Sequence, residues 1–196
     1  VYGVRTNFGE GGTRGCLINI ADPENPEMVD DQFGHYSRTE FRDNNGFSAS
    51  RGLYIHNFEN PADPEPIGSI QDDSMNQGIF LAGNTVFSAG ESFCTFSVEN
   101  LNAPQLISEI DMPGMGYKLA VQNNNAFVMD SEFFFYGSEC RDDVIIINCE
   151  NVEDPQVIGT YGSTGMIHDV EVSEGIAYLA CMQNGLKIID VTNPEQ

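Results

Sequence analysis

A segment of about ten residues returns five times along this chain, and nothing else in the sequence narrows the fold as far. The copies read LINIADPENP from Leu17, YIHNFENPADP from Tyr54, FSVENLNAP from Phe96, IINCENVEDP from Ile146 and KIIDVTNP from Lys187. Their last apolar strand residues, Ile20, Phe58, Val98, Cys149 and Val191, lie 38, 40, 51 and 42 residues apart. Two residues after each anchor stands Asp22, Asn60, Asn100, Asn151 or Asn193, and six residues after the first four stands Pro26, Pro64, Pro104 or Pro155. An Asx side chain bonds its own backbone to begin a turn, and a proline, lacking an N–H, opens a strand where no ladder bond is needed. Between these marks apolar residues alternate or run in fours to sixes, and no window shows the i, i+3, i+4, i+7 spacing of an amphipathic helix. The best preserved copies give the strands MGYKLAV, NAFVMD, VIIINC and QVIGTY, then MIHDVEV, IAYLAC and LKIIDVT. A period of about 40 residues holding four antiparallel strands predicts an all-β chain of β-propeller blades.

The segment IAYLACMQNGLKIIDVTNP, Ile176 to Pro194, resembles the repeat of the LVIVD family of β-propellers. The resemblance extends over nearly the whole chain, because Phe47, Phe87, Phe127 and Tyr178 hold the aromatic place of the second strand in successive copies. It departs at Leu101 and Val152, where the pattern prefers proline, and at an insertion in the fourth copy, Ser131 to Asp142. The resemblance implies a propeller of an exported or cell-surface protein, often part of a larger multidomain chain, and it implies no particular activity.

Strand counting gives three strands, three full blades and three more strands, so both ends supply strands two and three of a blade. The expectation is an unclosed ring, with residues 1–196 forming a single propeller domain or fragment of a longer chain of about six to eight blades. Composition supports a packed core: 40% of residues are hydrophobic, with 13 Phe and 7 Tyr. Asp and Glu number 30 against 8 Lys and Arg, a net charge of −22. Nucleic acids and anionic membrane surfaces are bound through Lys and Arg, so neither is an expected partner. No apolar run approaches the length of a membrane span, and no signal peptide is visible. Lys118 and Lys187 are the only lysines, and an acidic surface nearly free of lysine reads as exported or salt-adapted.

No catalytic motif is present: there is no G-x-S-x-G, HExxH, P-loop or EF-hand loop. His168 and Asp169 are adjacent, a His beside a carboxylate, but neighbours in a strand point to opposite faces and so cannot form a dyad. The acidic pairs Asp30-Asp31, Asp72-Asp73 and Asp142-Asp143 offer carboxylates to calcium, but without the alternating spacing of a calcium loop they read as solvated surface. The insertion carries Phe133, Phe134, Phe135 and Tyr136, an aromatic run that packs on a neighbouring blade or meets a protein partner. Gly9 to Gly15 form a lengthened connection at the equivalent place in the first copy. Cys140 in the insertion and Cys181 in the next copy are expected near one rim, as a disulfide between blades; Cys16, Cys94 and Cys149 are expected as buried thiols.

Aligning the first strands places Ser37, Gln77, Tyr117 and His168 in one column and His35, Met75, Met115 and Met166 two residues earlier. Residues i and i+2 share a face, so the columns predict two stacked rings at the mouth of a central channel. Three thioethers and an imidazole are soft donors of the kind that select Cu(I), although an apolar collar needs no metal and no cofactor is predicted. These readings favour a non-catalytic interaction or scaffolding module that joins protein partners or copies of itself. Its rivals are a metal- or cofactor-dependent enzyme with a site in the channel, and a carbohydrate-binding lectin using Tyr and Asn at loop tips.

Overall fold

Each copy of the repeat folds as an antiparallel meander whose joints sit at the marks in its sequence. The computed structural model describes the chain except for residues 1, 10–11, 20–21, 34–37, 62, 72–73, 132–141, 163–164 and 194–196. The first sheet holds β1 (Tyr2–Gly9), β2 (Gly12–Asn19) and β3 (Glu27–Phe33). The second holds β4 (Arg38–Arg42), β5 (Asn45–Ser50), β6 (Gly52–Asn57) and β7 (Glu65–Gln71). The third holds β8 (Asn76–Ala82), β9 (Thr85–Gly90), β10 (Ser92–Ser97) and β11 (Gln105–Asp111). The fourth holds β12 (Met115–Gln122), β13 (Asn125–Ser131), β14 (Asp142–Asn148) and β15 (Gln156–Gly162), and the fifth β16 (Asp169–Ser173), β17 (Ile176–Cys181) and β18 (Gly185–Asp190). Every sheet is antiparallel with strands in chain order, and among the described residues none closes on itself.

The anchors have a physical role. The Phe58, Val98, Cys149 and Val191 N–H groups donate to the carbonyls of Asn44, Asn84, Asn124 and Gly175, at 2.6, 2.8, 2.6 and 2.8 Å. Each bond ties the end of a third strand to the tight turn between the first two. Those turns use left-handed backbone, with φ of 55° at Asp43, 57° at Gly83, 50° and 62° at Asn123 and Asn124, and 52° and 77° at Glu174 and Gly175. Asn, Asp and Gly tolerate this region best, and two such residues in a row match the twist of a two-residue hairpin. After the anchor, the Asn100 and Asn151 side chains accept from the N–H groups of Asn102 and Glu153, both at 3.1 Å. Pro26, Pro64, Pro104 and Pro155 stand one residue before β3, β7, β11 and β15, where the missing donor costs nothing.

Burial explains why the inner strands read as continuous apolar runs. Neighbouring residues point to opposite faces of a strand, and the third and fourth sheets are covered on both faces. Val86, Cys94 and Phe96 pack back against Phe47, Ala49, Leu53 and Ile55, while Phe87, Ala89 and Phe93 pack forward against Val128, Ile145 and Ile147. Val144 and Ile146, alternating with that last pair, pack forward with Phe127 and Met129 against Val170, Val172, Ala177 and Leu179. Each fully buried Phe contributes about 1.5–3 kcal/mol by leaving water. The fifth sheet is covered on one face. Its outward residues Leu186 and Ile188 are 62% and 63% exposed, and Tyr178 is 37% exposed.

Several local expectations are corrected. Asp30 and Asp31 lie within β3 and not in a turn. The first connection is short, because β1 and β2 pair as far as Gly9 and Gly12. Ser131 and Asp142, read as the ends of a loop insertion, are ladder partners at the close of β13 and the start of β14. The fifth sheet's first strand begins at Asp169, so Met166 and His168 precede it, although the His168 N–H still donates to the Ala180 carbonyl at 2.7 Å. Among the described residues one 3-10 turn, Met182–Asn184, stands between the strands β17 and β18. Ile20, Asp72, Asp73, the aromatic run Phe133 to Tyr136 and Cys140 lie outside the described residues.

Candidate functional site

The first strands bring one group of side chains together from three repeats. Gln77 of β8, Met115 and Tyr117 of β12, and Met166 and His168 before β16 line one cavity of about 240 Å³, with Ser131, Asp142 and Ile167. Five of the eight residues in the two aligned columns thus share one space. His35 and Ser37 lie outside the described residues. Met75 stands apart: its carbonyl accepts from the Glu91 N–H at 3.3 Å, which pins its backbone to the β9–β10 turn, and it is 40% exposed. Gln77 and Tyr117 each sit at a register shift, between Asn76 and Gly78 and between Gly116 and Lys118. A bulge leaves its extra residue unpaired and re-aims the side chain, so these two do not follow the simple alternation of the strand.

Asp142 holds the site together, and the sequence reading placed it in a surface acidic pair. Its Oδ2 accepts from the Tyr117 hydroxyl at 2.8 Å and from the Ile167 N–H at 2.6 Å, joining the first strand of the fourth sheet to the entry of the fifth. The Tyr117 hydroxyl also lies in hydrogen-bonding reach of the Ile167 carbonyl. Burial, reinforced by the Asp142 carboxylate, holds the Tyr117 phenol well above its usual range, so it remains a donor at neutral pH. Asp142 is 1% exposed, and its Oδ1 is buried without a partner. A signal for it exists in the repeat: seven residues before successive anchors stand Arg51, Glu91, Asp142 and Asn184, all polar, at the start of the third strand.

Charges gather along the same strands. Lys118 pairs with Asp169, linking β12 to β16. Burial holds the Arg38 guanidinium below its ordinary range, and the Asp169 and Glu40 carboxylates act against that shift. Among the described residues no group of three or more His, Cys, Asp and Glu is placed to hold a metal ion. The soft donors that share the cavity are Met115, Met166 and His168, without the third thioether that the alignment supplied.

The cysteines follow strand alternation. Cys181 is a free thiol on the core face of β17, 1% exposed, with its S–H donating to the Leu179 carbonyl at 3.6 Å. This replaces the half-cystine expected of it. Cys94 and Cys149 are buried cysteines, and burial pushes the Cys149 thiol up to about 11.

Five antiparallel sheets, the second to fifth packed face to face, define an all-β repeat protein, and the comparisons agree with that class. Residues 164–196 match the profile of the LVIVD repeat, which contains the segment whose resemblance was read above. No curated protein matches the chain. In three dimensions it is similar to two computationally designed proteins known from crystal structures. Ika8 aligns with a TM-score of 0.53 at 8% identity over 95% of this chain and 70% of that one. Ika4 aligns with a TM-score of 0.58 at 9% identity over 80% of this chain and 91% of that one. At such identities the likeness is one of fold. No helix among the described residues is long and apolar enough to cross a membrane.

Proposed function

We propose that the five sheets are consecutive blades of a β-propeller acting as a non-catalytic interaction and scaffolding module, exported to the extracellular space or cell surface. Three features support the propeller. The LVIVD repeat is associated with that architecture. First strand packs on first strand throughout, β4 on β8, β8 on β12 and β12 on β16. Arg38 and Asp169, at the starts of β4 and β16, interact electrostatically. Stacked sheets stand about 10 Å apart, so a straight stack would separate β4 from β16 by about 30 Å, too far for that interaction. A stack curved about an axis lined by first strands accounts for it.

The observation that carries the module reading is the outward face of the fifth sheet. Tyr178, Leu186 and Ile188 occupy the positions that Phe127, Val144 and Ile146 fill in the fourth sheet, paired across strands in the same register. There they are 2%, 2% and 6% exposed beneath the next sheet, and here 37%, 62% and 63%. The same surface chemistry is covered by a β-sheet in the second, third and fourth sheets, and for these 196 residues by themselves a sheet of a second copy is the occupant we assign. Light scattering across a concentration series is expected to give a mass above 21.5 kDa for the chain. The double variant Leu186→Asp, Ile188→Asp should remain folded by circular dichroism and run as a monomer. A native chain that stays monomeric at high micromolar concentration would overturn the reading.

A further inference from the structure

The cavity between β8, β12 and the entry to β16 has features that neither the propeller nor its outward face requires. At its wall, Asp142 keeps one carboxylate oxygen buried and without a donor. Leaving a buried acceptor of this kind unmade costs about 1–3 kcal/mol, and more for a charged group, so a site that persists this way is suited to a ligand that donates. Among the described residues no Lys or Arg lines the cavity. An ionised carboxylate accepts only, the Ser131 hydroxyl and the Gln77 amide add acceptor oxygens beside their own donors, Tyr117 and His168 bring a phenol and an imidazole, and the rest of the described wall is thioether and aliphatic, from Met115, Met166 and Ile167. A net charge of −22 also concentrates cations around the molecule.

We propose that this cavity binds an alkylammonium group, either a free small amine or the end of a lysine side chain. An ammonium carries three donors and no acceptor, which answers Asp142 Oδ1 with two donors left for Ser131 and Gln77. Its alkyl stem lies against the two methionines. The volume of about 240 Å³ equals about eight waters at 30 Å³ each, room for a chain of four or five carbons with its nitrogen. Asp142 is 1% exposed, so the ligand reaches it by displacing a thioether. Methionine, unbranched with three rotatable bonds, is the residue that yields most readily.

Titration calorimetry on the intact chain tests this with n-butylamine hydrochloride against 1-butanol, which matches its size and lacks its charge. Saturable binding of the amine, with the alcohol weaker by about 10- to 100-fold, is expected from loss of a charge-assisted bond. Asp142→Asn should weaken the amine by a similar factor. Should that variant melt early, the comparison of amine with alcohol on the native chain still decides. Nα-acetyl-lysine methylamide distinguishes the sources: tighter binding than butylamine assigns a polypeptide lysine, and weaker binding a free amine. Equal affinity for butanol, full affinity in Asp142→Asn, or binding of Cu(I) alone overturns the proposal. The Leu186→Asp, Ile188→Asp variant should bind the amine unchanged, which separates this site from the association face.

Discussion

Phe47, Phe87, Phe127 and Tyr178 occupy one position in four successive sheets, each paired with the residue three before its anchor, Ile55, Thr95, Ile146 or Ile188. The first three are 0%, 4% and 2% exposed and the last 37%, so equal places in the repeat carry unequal energies. Phe127→Ala should cost about 3–5 kcal/mol through lost transfer and the cavity left behind. Tyr178→Ala should cost under about 1 kcal/mol, as an exposed substitution does. Urea denaturation at low protein concentration measures both, and equal costs would show that the fifth sheet is covered within one molecule. The aromatic column was legible because strand alternation and a fixed offset are local properties. Its coverage was not, since burial belongs to the neighbouring sheet. Asp142 was missed for a related reason: it was grouped with Asp143 as a solvated pair, and only packing reveals that Tyr117 and Ile167 converge on it.

At the scale of the element, the turns were the most readable part of the chain because their chemistry is short-range. The Asx bonds at Asn100 and Asn151 and the prolines before the fourth strands follow from side chains acting on their own backbone. The cavity was readable in outline, since a repeat brings equivalent positions to equivalent places. Its details were lost to two irregularities that no pattern of alternation contains, the bulges at Gln77 and Tyr117 and the late start of β16. The β12–β13 hairpin tests how far turn chemistry matters. Asn123 and Asn124 have φ of 50° and 62°, and the Asn124 carbonyl receives the Cys149 N–H. Any residue keeps that carbonyl, so substitution reports on backbone strain alone. Asn124→Val should destabilise the chain by about 1–2 kcal/mol and Asn124→Gly should not, because only glycine adopts this region without a steric penalty. Equal melting temperatures for the two variants would show that the turn relaxes out of the left-handed region.

At the scale of the whole molecule, charge is the term that separates this chain from an ordinary stacked-sheet protein. Thirty acidic side chains face eight basic ones. Among the described residues the ion pair of Lys118 with Asp169 is the one within contact distance, and it joins first strands rather than spreading over the surface. Compacting a net charge of −22 into a folded domain raises its self-repulsion relative to the expanded chain, so folding proceeds against a field that salt weakens. The Debye length shrinks from about 30 Å at 0.01 M to about 10 Å at 0.1 M and 3 Å at 1 M, spanning the dimensions of the domain. One partly buried ion pair loses little over that range, whereas repulsion among many carboxylates loses most of its reach. The melting temperature should therefore rise with NaCl, by about 2–4 °C for each kcal/mol of repulsion removed in a domain of this size. The rise should be steep below 0.1 M and flatten by about 0.5 M, since screening saturates once the Debye length is shorter than the spacing of the charges. Scanning calorimetry across a NaCl series separates this from preferential exclusion of salt, which continues to climb at high concentration. A melting temperature that is flat or falling below 0.1 M would mean that the acidic surface is compensated in the fold.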